Sequence, residues 1–176
     1  MITANRRRWS RFLALPLLAP LLVSSTIATR AFAVDLIEAA RNQDSEAVQS
    51  LLADGSNPNA QQADGATALH WAVYGENSDM AASLIEAGAD VNAVNRLGAS
   101  ALYVAAKSGQ GDLIVQLLTA GADPNLALDM NETPIMTASR SGTVKGVRRL
   151  IDAGADVNAR ESSRNQTALM WAAAQG

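Results

Sequence analysis

The chain has 176 residues, 48% of them apolar, 18% charged and 4% aromatic, which suits one folded domain with an appendage and not a disordered chain. Without cysteine it can form no disulfide, thiolate zinc site, cysteine nucleophile or lipobox anchor, and its one histidine, His70, cannot build a multi-histidine metal centre. The net charge of −3 hides a segregation: residues 1–33 hold five arginines and no acidic residue, while the remainder carries nine basic against 17 acidic residues, a net of −8 that argues against nucleic acid as a partner.

From the N-terminus, MITANRRRWSR is a basic segment and residues 12–23, FLALPLLAPLLV, are a short apolar run containing Pro16 and Pro20. Ala31-Phe32-Ala33 then precedes Val34-Asp35 as an A-x-A cleavage site, so residues 1–33 read as a secretory signal peptide. The apolar run of 12 residues is shorter than the roughly 20 a spanning helix needs. An uncleaved signal anchor is the alternative. Arg7-Arg8 hints at twin-arginine export, but Arg11 interrupts the following apolar stretch, which favours the general route. Export to the periplasm is expected, with secretion as the alternative and no membrane span after cleavage.

A 33-residue period organises the rest. Gly-Ala-Asp recurs at Gly88, Gly121 and Gly154, with Gly55-Ser56-Asn57 a degenerate earlier copy. Asn59, Asn92, Asn125 and Asn158 keep the interval, as do Leu36, Leu69, Leu102 and Ile135. Leu169 falls one residue late, after an insertion in Glu161–Gln166. Within a unit, Thr67, Ser100, Thr133 or Thr167 is placed to cap a short helix through its hydroxyl, and Pro134 suits a first helical position. A break at Gly75, Gly109 or Gly142 follows, then a second helix such as Asp112–Leu118 with apolar residues at i, i+4 and i+5. Gly88, Gly121 and Gly154 stand where a left-handed residue ends that helix, and Asp-x-Asn supplies the next turn. Gly146, inside a second helix, is expected to weaken it by about 1 kcal/mol relative to alanine.

These units resemble the ankyrin repeat. The pattern G-x-T-P-L-H-x-A-A followed by L-L-x-x-G-A-D-x-N-A is visible in Gly65–Val73, Leu84–Ala93, Ser100–Ala106, Leu117–Asn125, Thr133–Ser139 and Leu150–Ala159. The resemblance spans residues 35–176 and implies an all-α solenoid of helix-turn-helix units with short β-turn or hairpin fingers. Departures are that the motif proline survives only as Pro134, its histidine only as His70, and Glu76 replaces the inter-helix glycine, for which Gly75 is the expected substitute. The units are 34–62, an N-terminal capping repeat whose Arg41, Gln43, Asp44 and Glu46 suit a face without a preceding neighbour; 63–95, 96–128 and 129–161; and the incomplete 162–176. Leu169 and Trp171 lack a covering element, so a longer natural protein with further repeats is expected.

No catalytic arrangement surrounds His70, whose helix neighbours are apolar; the resemblance implies that its imidazole bridges backbone groups of adjacent repeats. Each Gly-Ala-Asp-Val-Asn segment offers too few oxygens for calcium, and the spaced glycines cannot cradle a phosphate. No enzyme, metal or cofactor is expected. Trp71 and Trp171 read as core, and Lys145, Arg148 and Arg149 as a solvated outer face.

An interaction role remains, and the resemblance implies that partners contact a concave face of first helices and the finger tips. The exposed first-helix ends are Arg41, Tyr74, Lys107 and Arg140, three cations and a tyrosine in line. The tips are Ala63-Asp64, Arg96-Leu97, Asp129-Met130 and Ser163-Arg164, where Leu97 and Met130 offer apolar contacts. The expected function is a monomeric, exported scaffold binding a protein partner with acidic and apolar groups. A secreted effector acting on a host protein, or a recognition array attached to a catalytic domain, are the alternatives.

Overall fold

Each first helix starts at a short polar residue whose backbone is extended: Asp35, Thr67, Ser100, Thr133 and Thr167. The computed structural model describes residues 35–175, so the signal peptide inferred for residues 1–33 lies outside the described residues. Among these, four helix pairs follow in order: α1 (Leu36–Arg41) with α2 (Ser45–Ala53), α3 (Ala68–Tyr74) with α4 (Ser78–Glu86), α5 (Ala101–Lys107) with α6 (Gly111–Thr119), and α7 (Pro134–Ser141) with α8 (Val144–Asp152). A ninth helix, α9 (Ala168–Ala173), completes the series. The fold is the expected all-α solenoid: α1, α3, α5, α7 and α9 pack as one layer, and α2, α4, α6 and α8 as a second. Between units, the fingers reduce to single antiparallel bridges, Val94 with Ser100 and Leu128 with Glu132.

The hydroxyl caps form less often than the sequence suggests. Asp35 accepts from the Glu38 N–H at 2.7 Å, and Ser100 from the Tyr103 N–H at 3.2 Å. Thr133 and Thr167 make no side-chain cap bond. At Thr133 the Met136 N–H is taken by the threonine's own carbonyl at 3.1 Å, which leaves the buried hydroxyl without a donor. The inter-helix break also differs. Glu76 itself takes the left-handed conformation (φ 58°), matching Gln43, Gly109 and Gly142 in the other units, whereas Gly75 has φ −83°. Gly75 instead leaves room for the Gln43 amide: a Cβ there would stand 2.1 Å from it and would displace that side chain. That side chain turns towards the second repeat, donating to Ala40 O and Trp71 O, both at 2.9 Å, and so does not belong to an outward cap face.

Second helices end as expected at left-handed glycines, Gly55, Gly88, Gly121 and Gly154. The asparagine after each of the first three, Asn59, Asn92 and Asn125, then joins two repeats. Asn92 donates from Nδ2 to Gly121 O at 3.2 Å and accepts the Asp123 N–H at 2.8 Å; Asn59 and Asn125 make the same pair of bonds to Gly88 and Asp90, and to Gly154 and Asp156. The carboxylates of Asp90, Asp123 and Asp156 accept a backbone N–H from within their own turns. These segments are turns joined by amide bridges.

In α6 the buried residues are Leu113, Ile114 and Leu117, with Leu118 only half-buried, because the helix must cover both its own partner α5 and the neighbouring α8. The same pattern holds in α4, where Met80, Ala81 and Leu84 are buried and Ile85 is half-buried, and Gly146 of α8 lies against this face of α6. It occupies the column of Met80 and Leu113, and a Cβ there would meet Ile114 Cδ1 at 2.5 Å and Thr143 Cγ2 at 2.8 Å. Ile114 is itself fully buried and cannot swing aside. The expected gain from alanine is therefore reversed by overpacking. Gly146→Ala should lower stability by about 1 kcal/mol, or ~3 °C in Tm. Adding Ile114→Val, which removes that Cδ1, should recover most of the loss in the same thermal scan.

Candidate protein-interaction surface

The last turns of α1, α3, α5 and α7 place Arg41, Tyr74, Lys107 and Arg140 at equivalent exposed positions. Their charges are not equally available. Arg41 is paired with Glu38 on its own helix. Arg140 lies 3.5 Å from Glu132 and stacks over Trp171, its guanidinium carbon 4.6 Å from the ring centroid. Lys107 has no ion-pair partner among the described residues. Tyr74 is 71% exposed and meets the edge of Trp71 in a T-shaped contact at 5.9 Å. The second basic cluster, Lys145, Arg148 and Arg149, lies exposed on α8, where Lys145 pairs with Asp112 and Arg149 with Asp152.

The fingers are tied to one another through backbone groups. The Arg96 N–H donates to Asp64 O at 2.8 Å, the Ser162 N–H to Met130 O at 2.7 Å, and Asn131 Nδ2 to Arg160 O at 2.8 Å. Arg96, Leu97 and Met130 are exposed on this framework, the two apolar residues at 70% and 60%. Met130 holds a left-handed backbone (φ 66°) beside Asn131 (φ 60°), which fixes the direction of its tip.

Two residues of the same column join successive repeats from inside. His70 is buried, with Nε2 2.9 Å from Ala99 O and Nδ1 3.2 Å from the Thr67 N–H. A carbonyl can only accept and an N–H can only donate, so the imidazole is neutral with its proton on Nε2. Burial lowers its pKa below the usual 6.5, against the opposing influences of the Ala99 carbonyl and Asp64. This is the bridging role that the resemblance implies. Tyr103, one period later, reaches equally far along the chain: its hydroxyl donates to Glu132 Oε1 at 3.0 Å. Burial, helped by Glu132, raises the phenol to about 12.

Glu132, Tyr103, Glu161, Arg164 and Trp171 complete a surface that the sequence reading did not assemble. The carboxylate of Glu161 accepts the N–H groups of Ser163, Arg164 and Gln166 and the Ser163 hydroxyl. Led by that hydroxyl, these donors hold its pKa down to about 2, so it is an organiser of the inserted turn. Trp171 packs partly on the core and also borders two adjoining cavities, of about 440 and 320 Å³, on the first-helix side. A third, more apolar groove of about 640 Å³ lies between α8 and α9, bordered by Val144, Val147 and Ile151. Among the described residues, no cluster of three or more histidines and carboxylates is placed to hold a metal ion.

The family model described as "Ankyrin repeats (3 copies)" matches residues 36–127 and, overlapping, 110–176. The chain belongs to the ankyrin repeat family. No curated protein matches it. Ankyrin repeats generally mediate protein–protein interaction, and proteins built from them are typically non-catalytic scaffolds.

The inter-repeat imidazole makes this ankyrin array sensitive to mild acid. The unfolded chain takes up a proton near pH 6.5 while folded His70 resists it, so its contribution is complete above that pH and is lost as the pH falls towards the lower folded value. Thermal stability of the wild type should decline as the pH falls below about 6.5. His70→Gln, which keeps an acceptor and a donor but does not titrate, should show a shallower decline over that window.

Proposed function

We propose that the chain is an exported, non-catalytic ankyrin-repeat scaffold that acts as a monomer in the bacterial periplasm and binds one protein partner. Export rests on the basic segment, short apolar run and Ala31-Phe32-Ala33 of residues 1–33. Among the described residues no helix is long and apolar enough to cross a membrane. Binding engages the first-helix ends Arg41, Tyr74, Lys107 and Arg140 and the finger residues Arg96, Leu97 and Met130.

The observation that carries this reading is the pair of exposed apolar tips, Leu97 and Met130, bordering a cavity that extends to Trp171 on the first-helix layer. Large exposed apolar groups beside arginine and an aromatic ring are features of interaction hot spots. Each is carried on a backbone tied to the adjacent repeat, so little ordering is required when a partner docks.

The test is a pull-down from periplasmic extract with the natural protein and with a Tyr74→Ala, Lys107→Glu, Arg140→Glu variant, read by mass spectrometry. A prey recovered by the first and lost by the second supports binding through the first-helix face. The same prey with both overturns that face. Cell fractionation checks the location: periplasmic protein is expected, and accumulation in the medium would favour a secreted effector.

A further inference from the structure

Among the described residues, two hydrogen bonds hold the Asn95–Ala99 finger on the preceding repeat, and one comes from the chain's single histidine. His70 Nε2–H donates to Ala99 O at 2.9 Å, and the Arg96 N–H donates to Asp64 O at 2.8 Å. The finger is otherwise closed on itself. The Asn95 N–H donates to Ala99 O, the Gly98 N–H to Asn95 O, and Asn95 Oδ1 accepts the Leu97 and Ala99 N–H groups. It can thus part from its neighbour as an intact turn. Its tip, Arg96-Leu97, is exposed, whereas Ala99 at its base is buried. The next finger, Leu128–Glu132, is held differently: Tyr103 donates to Glu132 Oε1, and its phenol, raised by burial to about 12, keeps its proton at neutral and acid pH.

In its pocket the His70 ring is poorly placed to take a second proton. Nδ1 accepts the Thr67 N–H at 3.2 Å, so a proton there would face that donor, with only the Thr67 hydroxyl at 3.0 Å to receive it. Burial opposes the charge more strongly than the Ala99 carbonyl and Asp64 favour it. Asp64 is the ionisable group whose charge acts on the ring, and the Ala66 N–H holds its carboxyl below the ordinary range, so it stays charged near neutrality. On the elements packed against α3, Glu38 and Arg41 of α1 pair with each other, Asp79 and Glu86 of α4 and Lys107 of α5 are exposed, and Tyr103 of α5 is neutral.

We propose that His70 is a proton switch on the Arg96-Leu97 finger: mild acid favours the arrangement in which the ring has left its pocket and its bond to Ala99, while the Met130 finger stays in place. Released into water, the ring takes up a proton near pH 6.5, which it resists when buried, so each step below that pH shifts the balance towards release. The consequence for binding rests on the partner role proposed for Arg96 and Leu97, which acid would withdraw while leaving Met130 presented.

The test is amide hydrogen exchange of the full chain by NMR at about pH 7.5 and about pH 5.5, on either side of the free imidazole's titration, with each rate divided by its intrinsic value. The Arg96 N–H, bonded to Asp64 O, reports this finger, and the Ser162 N–H, bonded to Met130 O, reports the other. Protection of Arg96 should fall several-fold in acid, up to about tenfold, the limit set by a released ring titrating near 6.5, while that of Ser162 changes by less than about twofold. His70→Gln, which keeps a donor and an acceptor, should abolish the fall. Asp64→Asn, which keeps the acceptor for Ala66, should preserve it. No fall at Arg96, an equal fall at Ser162, a fall that survives His70→Gln or one that vanishes with Asp64→Asn overturns the switch. The readout needs no partner, so its failure is distinct from failure of the binding role, which the pull-down decides.

Discussion

Close approach of successive first helices is the constraint on which the array depends. Ala39, Ala72, Ala105 and Ala138 are each fully buried between neighbours, and a larger side chain at any of them would push the layer apart. Small residues in this column let the larger Leu69, Leu102 and Ile135 fill the interior. The asparagine bridges set the same spacing at the turns, where each satisfies a donor and an acceptor of the following repeat. Apolar stacking and polar bridging thus impose one translation, and each repeat is stabilised chiefly by the repeats beside it. Leu169 makes the point from the other direction. It belongs to the anchor column but, with no further repeat against it among the described residues, is 77% exposed.

Within this frame, individual columns can exchange chemistry while keeping their reach. Imidazole at His70 and phenol at Tyr103 both extend to the residue preceding the next helix cap, Ala99 and Glu132 respectively. The first links two repeats through a backbone carbonyl and stays inside. The second links them through a carboxylate that also faces Arg140, so a structural column reaches an exposed arginine at the third repeat. Gly146 and Ile114 show a similar exchange in volume, the missing side chain of one making room for the other.

Charge at the surface follows partners as well as composition. The neutralisation of Arg41 was legible, since Glu38 stands three residues earlier on the same helix. That of Arg140 was not: Glu132 lies across the start of α7, and only the folded finger turns it back towards the helix end. The role of Trp171 was likewise half-legible. Its place in the repeat marked it as core, and one side does pack there, while the other side borders the cavities formed by two loops. No linear motif announces that arrangement.

By itself the sequence determined the period, the helical architecture, the left-handed glycines and the turn segments, while the bridging position of His70 came only from the ankyrin resemblance. Those features arise from local backbone preference and from a pattern repeated often enough to define its own register. Tertiary structure alone decided where side-chain volume is exchanged between helices, as at Gly146, and which residue bears the left-handed turn, Glu76 in place of Gly75. These outcomes depend on atoms from different repeats meeting within a few ångströms, a distance that residue order does not encode.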